Sequence, residues 1–152
     1  MGFRGHSYRS LDAKGRLMLP PDFREKVFRQ DSVGRVMLTN FDGGVAGYPL
    51  PEWEIIEQSF DSINVARRQF RNFKRFFISG AMEVTVDKQG RILVPPYLRD
   101  YAQLDKDVVL SGNGKKFEIW NPETFARMRQ DMEQDFDQLL DDMADHGAEL
   151  HL

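Results

Sequence analysis

The sequence predicts an α+β fold: two tandem units of strand, turn, strand, helix, strand and strand that pack into one small barrel-like core, with further helices around it. Three observations carry this expectation. A thirteen-residue block occurs twice, 75 residues apart. An alternating apolar and polar stretch leads into the second copy, and in each copy a double proline stops a strand and opens a short helix.

The block is Asp12-Ala-Lys-Gly-Arg16-Leu-Met-Leu-Pro-Pro-Asp-Phe-Arg24, and its second copy is Asp87-Lys-Gln-Gly-Arg91-Ile-Leu-Val-Pro-Pro-Tyr-Leu-Arg99. Six positions are identical and four more exchange one apolar residue for another, the mark of internal duplication. Aspartate with glycine three residues on is a turn signature, because the carboxylate accepts turn amides and glycine supplies the open backbone position. Asp12, Asp87 and Gly90 are therefore turn formers.

Strands are expected on both sides of each turn: Phe3 to Leu11 and Ala81 to Val86 before it, Leu17 to Leu19 and Ile92 to Val94 after it. Met82, Val84 and Val86 alternate with Glu83 and Thr85, the period of a half-buried strand. Pro-Pro then fixes a first helical turn, where a missing amide costs nothing, so short helices follow near Asp22 to Phe28 and Tyr97 to Tyr101. Apolar runs (Val36 to Leu38, Val108 to Leu110) lead through glycine-bearing turns to second runs ending near Tyr48 and Trp120. Pro51-Glu52 and Pro122-Glu123 then open helices. The resulting divisions are 1–55 for the first repeat, 56–79 for a basic amphipathic connecting helix, 80–125 for the second repeat and 126–152 for a C-terminal helix with an acidic tail.

Composition excludes much. With 152 residues, 41% of them hydrophobic, and 12 Phe and 2 Trp, the chain buries enough surface to fold without staples. It has no cysteine, which removes disulfides, thiolate metal sites and thiol nucleophiles and fits a reducing, intracellular setting. No apolar stretch approaches the ~20 residues of a membrane helix. His6 stands where a myristoylation signal after Met1-Gly2 needs Ser or Thr. The expected location is cytoplasmic.

The net charge of −3 hides an asymmetry. Residues 130–152 carry eight acids and no Lys or Arg, whereas residues 1–129 carry 21 bases against 16 acids. A basic body is a possible polyanion footprint, since neutralising phosphates drives affinity that does not depend on sequence.

The pattern D-x-x-G-R, three apolars, P-x-x, apolar, R resembles the AbrB-type swapped-hairpin DNA-binding module. Its occurrence twice, together with Phe3-Arg4-Gly5, the segment Tyr48 to Gln58 and Lys116-Phe-Glu-Ile-Trp120, resembles the MraZ family of bacterial transcriptional regulators. The resemblance implies two AbrB-like (looped-hinge or double-psi-like) β-α-β repeats forming a pseudo-dimeric barrel, assembled into a ring-shaped homo-oligomer. It also implies a nucleoid-associated repressor of double-stranded promoter DNA, acting at direct repeats upstream of a division and cell-wall gene cluster that includes its own gene.

Carried onto this sequence, the resemblance puts Arg16 and Arg91 on the arginine of the DNA-binding turn motif. The residues themselves make Lys14-Gly15-Arg16 an exposed hairpin tip where Gly15 permits close backbone approach, with Arg4 and Arg9 as further DNA-binding cations beside it. An arginine at an exposed tip pairs bidentately with guanine or forks onto a phosphate. Two uses stay open for Arg16: contact with DNA, or a bridge to Asp12 that stabilises the turn; Arg24 is free to cap the following helix.

Between the repeats, Arg67, Arg68, Arg71, Lys74 and Arg75 fall on one helical face and Ala66, Phe70, Phe73 and Phe77 on another, so the aromatic stripe is expected in the core. The basic stripe is solvated, faces DNA or meets acids such as Glu52, Glu54 and Glu57 of a neighbouring subunit; a membrane-surface role is the weaker alternative. In the tail, Phe136, Leu139, Leu140 and Met143 give an apolar stripe expected to extend the final helix until Gly147. Its acids either solvate that helix or compete with DNA for the basic body.

Three isolated histidines make no metal set or acid–base dyad, and there is no nucleotide or nucleophile fingerprint. No enzyme, cofactor, metal site or small-molecule substrate is expected. The alternative from another class is an antitoxin-like interaction module whose acidic arm wraps a protein partner.

Overall fold

The computed structural model describes residues 2–152 and consists of two compact units, one ending at Asn121 and the other Pro122–Leu152. In the first unit the order is β1 (His6–Ser10), β2 (Arg16–Met18), α1 (Pro21–Gln30), β3 (Arg35–Phe41), β4 (Gly44–Pro49) and α2 (Leu50–Ser59). A 3-10 turn (Phe60–Ser62) leads to α3 (Arg68–Ser79), followed by β5 (Met82–Thr85), β6 (Arg91–Leu93), α4 (Pro96–Tyr101), β7 (Asp107–Asn113) and β8 (Lys116–Trp120). The second unit holds α5 (Pro122–Gln134) and α6 (Phe136–Asp145). The α+β class is as expected.

Strand pairing is entirely antiparallel and interleaves the halves. Six strands form a sheet in the order β1-β7-β8-β4-β3-β5, while β2 and β6 pair only with each other. Exchanging the halves reads the sheet order backwards, so the unit has an approximate two-fold axis. It passes between Leu17 and Ile92 in the ribbon and between Ala46 and Glu118 in the sheet. Although one turn joins β1 to β2, these strands do not pair: β1 runs against β7 of the other half, and β5 against β3.

The main core lies between ribbon and sheet. Leu17, Leu19, Ile92 and Val94 meet Val36, Leu38, Val45, Phe117 and Ile119, with Phe23 and Val27 of α1 and Leu98 of α4 sealing the sides. The other sheet face carries a smaller aromatic core, in which Tyr48 and Trp53 gather around Phe60 and Phe77. There α3 is seated by polar side chains of β3. The Thr39 hydroxyl donates to the Phe77 carbonyl (2.7 Å), which the helix end leaves open, and the Asn40 amide to that of Phe76 (3.1 Å), which also accepts the Gly80 amide.

Several expectations are corrected. Backbone pairing closes no barrel: β1 and β5 are the edges of the six-stranded sheet, because β2 and β6 pair with each other and with no strand of that sheet. The connecting helix over 56–79 is instead the end of α2, a 3-10 turn, an irregular stretch and α3. Of the aromatic stripe only Phe77 is buried, Phe70 is half-buried, and Ala66 and Phe73 are exposed; the Phe73 ring stacks on that of Phe77 (5.6 Å) and covers the small core without entering it. Met82 is exposed on edge strand β5. The tail does not extend the final helix. Asp135 leaves helical geometry (φ −111°, ψ 20°), and Asp suits a helix start better than an interior. Gly147 (φ 78°) follows α6.

Candidate nucleic-acid interface

The duplicated block builds two turns with the same hydrogen-bond pattern. In the first, the Asp12 carbonyl accepts the Gly15 amide (2.9 Å) and Asp12 Oδ1 accepts the amides of Lys14 (3.0 Å) and Arg16 (2.9 Å). In the second, the Asp87 carbonyl accepts the Gly90 amide (2.9 Å) and Asp87 Oδ1 accepts those of Gln89 (2.9 Å) and Arg91 (2.8 Å). The arginine then closes each turn: Arg16 Nε lies 2.6 Å from Asp12 Oδ2, and Arg91 Nε 2.9 Å from Asp87 Oδ2.

These bonds stabilise the ionised carboxylates. The Asp12 carboxyl is lowered to about 2, led by the hydrogen bond from the Arg16 amide, and that of Asp87 is lowered by the equivalent bond from Arg91. Both aspartates are therefore charged at neutral pH and hold their arginines by Nε. Arg16 keeps both Nη groups without a hydrogen-bond partner among the described residues, so its fork is oriented but unoccupied. Arg91 differs, since its Nη1 reaches across the axis to 3.9 Å from Asp12 Oδ2.

The ribbon decides what these arginines can do. Its register places Arg16 opposite Leu93 and Met18 opposite Arg91. Side chains alternate faces along a strand, so these four share one face while Leu17 and Ile92 fill the core. The outward face is accessible: the Arg16 and Arg91 side chains are 31% and 25% exposed, and Met18 and Leu93 are 41% and 47% exposed. Each flanking turn adds one exposed lysine, Lys14 or Lys88. A two-stranded antiparallel ribbon fits the major groove of DNA, where arginine donors read guanine and apolar groups meet thymine methyls.

Gly15 plays another part than expected. It is buried with φ 84°, and a Cβ there would come within 2.7 Å of the Arg99 guanidinium. The close approach this glycine permits is taken by Arg99 of the other repeat, leaving no room for a ligand backbone. Gly90 (φ 87°) receives Arg24 in the same way, so Arg24 braces a turn and does not cap its helix. Main-chain bonds reinforce the exchange: Leu19 donates to Gly90 and Val94 to Gly15, both at 2.9 Å.

Arg4 and Arg9 lie elsewhere. They line a shallow hollow with Ser7, Pro20, Asp22 and Phe23, and Arg9 Nε donates to Ser7 Oγ (2.9 Å). The hollow beside the first turn is lined instead by Leu11, Asp12, Ala13, Arg99, Leu104, Asp105 and Lys106. The first-repeat cations thus occupy two neighbourhoods.

A third turn of the same chemistry lies outside the duplicated block. Asp31-Ser-Val-Gly34-Arg35 has the same five-residue pattern. The Asp31 carbonyl accepts the Gly34 amide (2.9 Å), and Arg35 grips the carboxylate through Nε (3.0 Å) and Nη2 (2.7 Å). Those bonds, the side-chain bond first, lower the Asp31 carboxyl to about 2. Here both carboxylate oxygens engage the guanidinium and the turn leads into β3, a strand paired on both sides within the sheet, so D-x-x-G-R by itself encodes a turn; what distinguishes Arg16 and Arg91 is the ribbon behind them. Scanning for the five-residue pattern alone would have found it.

Among the described residues no set of three or more His, Asp or Glu is placed to hold a metal ion, and no helix is long and apolar enough to cross a membrane.

The family described as "MraZ protein, putative antitoxin-like" matches the chain twice, over residues 3–76 and 77–146. A protein of Solidesulfovibrio magneticus named transcriptional regulator MraZ is 58% identical over 149 residues, 97% of this chain and 98% of its own length. Its namesake in Maridesulfovibrio salexigens is 49% identical over 150 residues, 99% of each. That of Leuconostoc citreum is 36% identical over 143 residues, covering 94% of this chain and 97% of its own.

Proposed function

Since the chain belongs to the MraZ family, we propose that it is a DNA-binding transcriptional regulator and that the β2–β6 ribbon is its reading head. The observation that carries this reading is the ribbon register: two arginines and two apolar side chains share one exposed face, braced from behind by both turns. Arg16 is the principal contact. Asp12 holds its Nε, so little side-chain freedom is lost when its terminal nitrogens meet a guanine edge or a phosphate. Lys14 and Lys88 add phosphate contacts; Arg91, drawn toward Asp12, contributes less. Arg4 and Arg9 reach the backbone of a flanking duplex segment.

We extend the proposal, as the resemblance of the duplicated block implies, to repression of a division and cell-wall gene cluster, including the protein's own promoter, by a ring of copies on tandem direct repeats in the nucleoid. A face of two arginines is a weak reader by itself, and several copies on one duplex gain from multivalency. Each half is read as an AbrB-type swapped hairpin, consistent with β1, β2 and β5 all pairing across the halves.

In vitro selection of duplex DNA from a random pool, with mass measurement of the free protein, tests the scheme. Enrichment of short tandem repeats by an oligomer is the expected result; recovery of unrelated sequences by a monomer refutes it. In the antitoxin-like reading the acidic unit binds a protein partner instead, and pull-downs with and without residues 131–152 separate the two.

A further inference from the structure

Two exposed surfaces of this chain complement each other in charge and in apolar character. The first is the outer face of α3. Arg68, Asn72 and Arg75 lie along it, with Phe73 and Phe76 beside them, each 42% exposed. No acid lies on α3, and among the described residues no carboxylate pairs with Arg67, Arg68, Lys74 or Arg75. Arg71 is spent differently, since its Nη1 donates to the carbonyls of Val65 (2.7 Å) and Ala66 (2.9 Å) and ties down the preceding loop.

The second is the elbow between α5 and α6. Met128, Met132 and Phe136 follow one another at four-residue spacing across the break at Asp135, are 42%, 41% and 52% exposed, and line an open hollow with Arg129 and Glu133. Residues 122–152 carry nine acids against two bases, and among the described residues none of the acids of α6 is in a salt bridge. An apolar stripe of this kind, rimmed by charge, marks an interaction surface, and thioethers pack well on aromatic rings.

We infer that the acidic elbow of one copy docks on the basic, aromatic face of α3 in a second copy. Phe73 and Phe76 enter the Met128–Met132–Phe136 hollow, while Arg68 and Arg75 meet Glu133 and Asp137. Charge selects the occupant: the α3 face is cationic and aromatic, the elbow anionic and thioether-rich, and a second copy supplies each complement in equal amount. The contact is heterologous, so each copy uses both surfaces and a closed assembly leaves none unfilled. This rests on the multi-copy part of the proposed function and names the surface that would join the copies.

A charge exchange tests it. One variant carries Arg68→Glu with Arg75→Glu, the other Glu133→Lys with Asp137→Lys, and all four positions are exposed. In sedimentation velocity at micromolar concentration, wild type is expected to run as an assembly and each variant alone as a smaller species, with an equimolar mixture returning to the wild-type size. The mixture keeps the test decisive if one variant folds poorly, because only an intermolecular exchange restores size on mixing. Restoration in a chain carrying all four changes but not on mixing means docking within one chain and overturns the proposal. Unchanged assembly of the separate variants overturns it too. Lower affinity of the α3 variant for a short single-site duplex, with unchanged assembly, assigns that face to DNA. Binding of that duplex by wild type and Arg16→Ala is measured alongside, so a failure of the DNA reading is seen separately.

Discussion

The two repeats fold into the same turn and differ in what they leave free. In the first, Asp12 holds Arg16 by Nε and lies 3.9 Å from Arg91 Nη1, so one carboxylate faces two guanidinium groups. In the second, Asp87 holds Arg91 alone. The bracing arginines differ as well. Arg99 Nε donates to the Val94 carbonyl (3.1 Å), whereas Arg24 Nε is buried without a hydrogen-bond partner. The same turn thus leaves different guanidinium nitrogens free: both terminal nitrogens of Arg16 lack a hydrogen-bond partner among the described residues, whereas Arg91 Nη1 is drawn toward Asp12.

The largest test of that equivalence is in the core on the axis. Leu17→Ala and Ile92→Ala should each lower stability by about 2–5 kcal/mol, the usual cost of truncating a fully buried aliphatic residue. Denaturant unfolding should give costs within about 1 kcal/mol of each other; a wide gap would show that the halves do not share the core evenly.

Binding should break the symmetry. By fluorescence anisotropy on a single-site duplex at fixed salt, Arg16→Ala is expected to cost about 1–3 kcal/mol if it reads a base, and Arg91→Ala less. Equal losses would remove the asymmetry, and no loss for Arg16→Ala would remove the ribbon as reading head.

The bracing arginines offer a finer contrast. Arg99→Met forfeits a hydrogen bond worth about 0.5–1.5 kcal/mol. Arg24→Met removes a buried donor that has no partner, so thermal unfolding should place it near wild type and above Arg99→Met.

The smallest effect is that of acid. A carboxyl whose folded value lies below its unfolded one of 3.8 contributes stability that is complete above that value and fades as pH falls toward about 2, where folded Asp12 itself protonates. Unfolding midpoints measured from pH 5 down to pH 2 should fall, and Asp12→Asn should flatten that decline more than Asp87→Asn, because Asp12 faces two cations.

The aspartate turns were legible because their chemistry closes within five residues: a carboxylate reaching amides two and four positions on needs no distant partner. Strand and helix positions followed from the prolines and alternation for the same reason. Less legible was the ribbon face. Nothing local to Arg16-Leu-Met says that Ile92 will lie opposite Leu17, and without that partner the exposure of Met18 and Leu93 has no meaning. The Asp31 turn was hidden by the length of the block sought, although its five residues stood in plain view.

By itself, then, the sequence determined the duplication, the turns, the helix starts at Pro21, Pro96 and Pro122, and the charge difference between body and tail. All are set by interactions between near neighbours or by composition. The tertiary structure decided that strands exchange partners between halves, that the sheet stays open at β1 and β5, that α3 hides one phenylalanine and exposes two, and that Gly15 shelters Arg99. Those outcomes depend on competition among distant segments for the same backbone groups and the same core volume, and no single stretch of chain contains both competitors.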